Sequence, residues 1–207
     1  MTKQGIIDKT KAIMNEIGEA ENLSLLSEDT VKLEEYIESA IPDAINIIAN
    51  TEGVSTALLN IGNVGSGGTT SNDGSLIVQL PSDYLRFISL RLNGWKREVQ
   101  TVSAFGSEDY KIQHNPVTRS GVNKPSCVFT YTGDGLCIEC FPSGTLQYFN
   151  YVRSAMDATD NTLENYSNAL MPAICYACAY LVYNYFEMPA TAEQMIKIAT
   201  QVLPKAQ

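Results

Sequence analysis

Residues 80–92 read LPSDYLRFISLRL and are followed by Asn93-Gly94. The stretch reads as the end of one strand, a tight corner at Pro81-Ser82-Asp83, and the start of a second strand. Pro81 fixes φ and supplies no backbone donor, so a strand must stop there. Phe87, Ser89 and Arg91 alternate with Ile88, Leu90 and Leu92, the period of a half-buried strand. Asn93-Gly94 can take positive φ at both central positions, as a type I′ hairpin requires, which predicts a returning strand over residues 95–99. Further on, residues 127–131, 136–141 and 146–152 read as strands, with turns at Gly133-Asp134-Gly135 and Pro142-Ser143-Gly144. Between them, residues 103–115 predict a short charged helix or turn, capped by Ser107 and closed by Pro116. Six or so antiparallel strands with short turns imply a small sandwich or partly open barrel.

Both flanks of this β segment are helical in pattern. Ile6, Ile13 and Ile17 share one helical face, with Lys9, Glu16 and Glu19 elsewhere, and Gly5 and Gly18 limit that helix. Ser27 is a good N-cap, with Glu28 and Asp29 in the first turn, where the helix dipole favours anions. Leu33, Ile37, Ile41, Ala44 and Ile48 then repeat along one face. Pro42 predicts a kink or a break there. Residues 62–75, GNVGSGGTTSNDGS, hold one apolar residue in fourteen and predict a flexible or extended loop. Residues 166–186 predict a closing core helix, and a last helix carries Ala192, Met195, Ile196, Ala199 and Leu203 on one face. The fold class is therefore α+β. Residues 1–52 supply N-terminal helices, 53–75 a Gly/Ser/Thr-rich loop, 76–155 a β domain, and 156–207 the helices that complete the bundle.

Charge narrows the partners. The chain of 207 residues has a formal net charge of −9. Residues 1–52 carry four Lys and eleven Asp/Glu, whereas residues 76–152 carry seven Lys/Arg and six acids. No basic run exists to neutralise phosphates, which argues against a nucleic-acid reader. The first twenty residues mix Lys and Asp and lack a continuous apolar core, unlike a signal peptide. Residues 165–186 are free of charge, yet five tyrosines, Asn184 and Pro172 within them favour a buried helix over a membrane span.

Motifs for chemistry are sparse. Cys137-x-x-Cys140 and Cys175-x-x-Cys178 formally suggest a four-cysteine zinc site. Strand positions i and i+3 point to opposite faces, however, and Ile138-Glu139 offers no knuckle turn. Cys175 and Cys178 share a helix face with Ile174, Ala177 and Leu181, where thiols pack as small apolar groups. All five cysteines, with Cys127, thus read as free thiols of a reducing compartment. His114, the only histidine, reads as a hydrogen-bonded structural or interface residue. No nucleophile elbow, zincin helix, P-loop or paired-carboxylate motif is present. No catalytic, cofactor-binding or metal-ligating residues are expected. Eleven of the eighteen aromatic residues are Tyr, and Tyr84, Phe87, Trp95, Phe105 and Tyr110 gather around the β segment. Side chains of this kind suit surfaces buried on one side and wet on the other.

The order of parts carries a resemblance. An acidic helical start, LSEDTVKLEEYIESAIPDAINII, leads to LPSDYLRFISLRLNGW and then to EDYKIQHNPVTRSGVNKPSCVF. A Tyr-rich closing helix and a final helix follow, LENYSNALMPAICYACAYLVYNYFEMPATAEQMIKIATQVL. Residues 27–203 so arranged resemble the head–tail connector (adaptor) ring proteins of short-tailed bacteriophages, and most of all the ring proteins of crAss-like phages. The resemblance implies a non-enzymatic virion protein, made in the host bacterial cytoplasm and assembled as a ring of about twelve copies. Its implied partners are the portal protein, a neighbouring connector ring, tail proteins, and duplex DNA passing without sequence-specific contact. Residues of the β segment suited to such contacts are Tyr84, Arg86, Arg91, Trp95, His114 and Arg119, with Gly67 and Thr69 in the loop. The alternative reading is a monomeric cytosolic binding module with a ligand pocket in the β unit.

Overall fold

The corner at Pro81 turns the chain from one sheet into another. The computed structural model describes residues 1–20, 29–71 and 73–204, with the side chains of 15–20 and 29–32 outside the description. In chain order the elements are α1 (Lys3–Ala20), α2 (Asp29–Asn50), β1 (Ile61–Val64), β2 (Thr69–Thr70), β3 (Leu76–Gln79), β4 (Tyr84–Leu92), β5 (Val102–Ser103) and α3 (Glu108–Gln113). There follow β6 (Ser126–Thr132), β7 (Gly135–Phe141), β8 (Leu146–Arg153), α4 (Asp160–Leu163), α5 (Met171–Tyr185) and α6 (Pro189–Gln201). Helices at both ends and a central sheet region make the fold α+β, as expected, and no barrel closes. Two units result: a helical one from Met1–Asn60 and Ser154–Gln207, and a β unit, Ile61–Arg153.

In the β unit, β1-β8-β4 form one antiparallel sheet and β2-β3-β7-β6-β5 the other. Proline stands at two of the four crossings between sheets, Pro81 between β3 and β4 and Pro142 between β7 and β8. At these two, a residue without an N–H ends the ladder and frees the chain to change sheet. Tyr84 N–H donates to the Pro81 carbonyl at 3.0 Å and closes the first corner. Leu76, Val78, Ile138 and Cys140 of the larger sheet share a core with Leu90, Leu92 and Phe149 of the smaller one. The two sheets therefore pack as a small sandwich.

Several strand expectations are corrected. Asn93 does not take positive φ; only Gly94 does, at +89°. With Trp95 N–H bonded to the Leu92 carbonyl at 3.2 Å, this is the type II pattern rather than type I′. Residues 95–99 form no strand and meet β4 through a single bridge, Leu90 to Val99. The Trp95 indole N–H donates to the Pro142 carbonyl (3.0 Å), and Lys96 N–H to that of Val122 (2.9 Å), which draws the segment off β4. β5 runs parallel to β6, because the chain between them crosses over through α3. The simple alternation in β4 is broken by register shifts. Between Phe87 and Ser89, one extra residue, Ile88, turns Phe87 onto the same core as Leu90.

Residues 62–75 are not a structureless loop. β1 pairs with β8 through four residues, and β2 pairs with β3. Gly62 lies opposite Tyr151, whose ring covers it so closely that a Cβ there would sit 2.3 Å from the ring carbon Cζ. The tyrosine supplies the apolar cover that β1 lacks, so low apolar content did not preclude a strand.

In the helical unit, α1 buries Ile6, Ile7, Thr10 and Met14, one turn apart on a common face, while Ile13 is only partly buried. That face differs from the expected Ile6–Ile13–Ile17 face, and Ile17 lies outside the described side chains. The helix runs through Gly5 and Gly18 rather than stopping at them. α2 continues past Pro42 as one helix, burying Leu33, Ile37, Ile41, Ala44 and Ile48. The expected cap at Ser27 and Glu28 lies outside the described residues. The predicted helix over 166–186 begins only at Met171, preceded by α4 and a 3₁₀ turn at Asn168–Leu170. Pro172 sits in the first turn of α5, where its missing N–H has no intrahelical partner to lose. None of the described helices is long and apolar enough to cross a membrane.

Gly62→Ala is expected to lower stability by about 1–3 kcal/mol, since the ring of Tyr151 must move. Gly65→Ala, whose Cβ would approach nothing closer than 3.9 Å, is the matched control. Thermal melts of the two variants check this: Gly62→Ala should melt several degrees lower, and equal midpoints would contradict the packing role.

Candidate interaction surfaces

α3 is short, and its position is set by its cap. Ser107 Oγ accepts from Tyr110 N–H at 3.2 Å, and Glu108 and Asp109 occupy the first turn. Tyr110 and His114, four residues apart, share a face. Their rings stack with centroids 4.2 Å apart. Phe105 lies edge-on to Tyr110 at 4.9 Å and to Tyr131 at 5.4 Å, and His114 meets Phe141 at 5.6 Å. The result is an aromatic ladder that starts at the surface and ends in the core. Tyr131 is 64% exposed and Phe105 54%, whereas Phe141 is fully buried. Ile112, Val117, Val122 and Leu136 are also exposed apolar side chains of this stretch. Beside α3 an open groove of about 820 Å³ is lined by Arg97, Gln100, Asp109, Thr118 and Lys124, among others.

The residues singled out from sequence are dispersed. Trp95 is buried, with its indole N–H satisfied internally. Tyr84 is half-buried on Phe149 and Tyr151, at 6.1 and 6.0 Å, and burial raises its hydroxyl pKa. Arg86 is in β4 opposite Val152. Arg91 donates to the Trp95 carbonyl at 3.3 Å. Arg119 donates to the Asp73 carbonyl. Gly67 is exposed at φ +120°, and Thr69 is exposed in β2 opposite Ile77. Only His114 of this set belongs to the aromatic ladder. From sequence, Phe105 and Tyr110 are aromatics without a site, and Tyr131 is a strand residue. The signal for Tyr131 was its place next to the Gly133-Asp134 turn, where a hairpin end leaves the core.

The helical unit exposes a second aromatic group. Tyr36 of α2 packs on Tyr185 at 4.4 Å and on Phe186 at 5.5 Å. Tyr185 is 62% exposed and Phe186 40%. Charge is segregated between the units. The helical unit holds six Lys/Arg against sixteen Asp/Glu, a balance of −10, and the β unit eight against seven, a balance of +1.

The cysteines are all buried and free. Cys140 Sγ lies 3.6 Å from Cys127 Sγ, while Cys137 Sγ engages Gln79 and Thr132, so the CxxC of β7 splits between different neighbours. Burial pushes the Cys140 and Cys178 thiols well above their ordinary range and keeps them protonated.

The SU10 adaptor protein family model matches residues 1–202. No curated protein matches the chain.

The groove wall yields a pH prediction. Glu98 accepts from Tyr148 Oη at 2.7 Å and from Gln100 at 2.8 Å, and these bonds, Tyr148 first, hold its carboxyl below the usual range. A depressed folded pKa gives stability that is present above the unfolded value, about 4.3, and is lost as pH falls through the folded value. Tyr148→Phe should therefore be less stable than the parent at pH 7, with the gap closing in acid. Denaturant titrations at several pH values check this, and a gap that does not change with pH would contradict it.

Proposed function

The chain belongs to the SU10 adaptor protein family, phage head–tail adaptors, and from that premise we propose that it closes into a ring at the head–tail junction. In this reading it is a virion structural protein without catalytic activity, made in the host bacterial cytoplasm. About twelve copies surround the channel through which DNA leaves. One face meets the portal or a neighbouring ring, the other the tail. The observation that carries the reading is the family match over residues 1–202.

Two features of the molecule support it. The β unit exposes Phe105 and Tyr131 with four further apolar side chains, a surface suited to burial against another chain. The acid excess lies in the helical unit, at −10. An acidic wall repels duplex DNA and keeps it sliding, whereas a basic wall would grip its phosphates. The helical unit is accordingly assigned to the channel or to solvent, and the near-neutral β unit to partner rings. A crAss-like phage origin is part of the same proposal. The groove of about 820 Å³ is the one observation that favours a monomeric binding module instead.

The test is the mass of the purified chain against concentration. A ring protein gives a discrete oligomer, and the double variant Phe105→Ser, Tyr131→Ser should weaken its association at least tenfold, since exposed aromatics of an interface contribute about 1–2 kcal/mol or more each. The variant should melt within about 2 °C of the parent, because neither side chain is in the core. A parent that stays monomeric at all concentrations, or a variant that assembles unchanged, would overturn the corresponding assignment.

A further inference from the structure

Asp73, His114 and Glu139 come from three separate segments: the β2–β3 connection, the C-terminal cap of α3, and the middle of β7. Each offers one donor atom, and the three atoms lie within 4.8 Å of one another. Glu139 is 4% exposed, whereas Asp73 and His114 reach solvent.

The polar contacts fix how these groups face each other. His114 Nδ1 is 2.8 Å from the Tyr110 carbonyl. A carbonyl only accepts, so the proton is on Nδ1, and Nε2 is left to point at Glu139 Oε2, 3.2 Å away. An imidazole lone pair and a carboxylate lone pair at that distance repel unless a cation lies between them. The Ser75 hydroxyl reaches both carboxylates, at 2.9 Å from Asp73 Oδ1 and 2.6 Å from Glu139 Oε1. Arg119 holds the main-chain carbonyl of Asp73 and so the loop that carries it.

We propose that this cluster binds a divalent transition-metal ion of the zinc class through His114 Nε2 and one carboxylate oxygen each of Asp73 and Glu139. One imidazole and two carboxylates suit zinc or manganese better than calcium or magnesium, which take oxygen donors. Ligands at about 2.0–2.2 Å from zinc stand roughly 3.3 Å apart in a tetrahedron. The His114–Glu139 separation already has that value, and Asp73, at an exposed position, closes the remainder by side-chain rotation. The Tyr110 carbonyl on Nδ1 and the Ser75 hydroxyl on the carboxylates are the outer partners that orient such ligands. Solvent takes the fourth position on the open side. The ion would tie the β2–β3 connection and α3 to β7, and so fix the helix that carries Tyr110. The rival cation is a proton, with His114 as imidazolium bonded to Glu139.

Full-length protein stripped with a chelator and titrated with zinc chloride under reducing conditions separates the two. The expected result is one zinc per chain and a melting point that rises with zinc. His114→Asn and Asp73→Asn, both at exposed positions, should each bind zinc at least tenfold more weakly and show no rise, while melting cooperatively without metal. Cobalt in place of zinc should give visible ligand-field absorption without the intense thiolate charge-transfer band. No stoichiometric binding at micromolar zinc, unchanged binding in either variant, or a thiolate spectrum would overturn the proposal.

Discussion

Tyr151 holds the β unit together. Its ring covers Gly62 of β1, packs against Phe149 at 5.3 Å and Tyr84 at 6.0 Å, and its hydroxyl donates to Asp83 at 2.8 Å. One side chain thus joins an edge strand, the centre of the smaller sheet and the corner at which the chain changes sheet. Arg153 reaches the other oxygen of Asp83 at 3.6 Å, so the corner carboxylate is held by two residues of the same strand. Asp83 also costs little there, because it is only partly buried and its charge remains hydrated.

What was legible in the sequence follows from how local each signal is. The corner at Pro81, the β6–β7 hairpin at Gly133-Asp134, the Ser107 cap and the last helix after Pro189 all depend on neighbours within four residues, and all appear in the structure. The misses depend on partners far along the chain. β1 exists because Tyr151 lies across Gly62, and nothing in residues 61–64 announces that. Residues 95–99 leave β4 because Trp95 finds the carbonyl of Pro142, 47 positions away. The face of α1 differs from the expected one because α5 buries Ile6 and Met14 nearby, with Cys175 and Tyr183 bonding to the carbonyls of Ile6 and Met14. Interaction surfaces were less legible still. Trp95 looked like an anchor on residue type and is core, whereas Phe105 and Tyr131 become a surface only once α3 lies beside β6.

The two units differ in charge. The helical unit carries −10 and the β unit +1, and each exposes an aromatic group, Tyr36, Tyr185 and Phe186 in the former and the ladder of Phe105 and Tyr131 in the latter. The segregated charge bears on the proposed passage of DNA, which an acidic surface repels. The buried thiols take no part in that scheme and fill the two cores as small apolar groups.

The central claim is a ring at the junction between head and tail. Density of the intact virion at that junction tests it most directly. The account predicts a closed ring of this chain next to the portal, with the acid-rich helical unit towards the channel or solvent and Phe105 and Tyr131 buried against a neighbour. A virion that lacks the chain at the junction, or a ring whose channel wall is basic with those aromatics facing water, would contradict it.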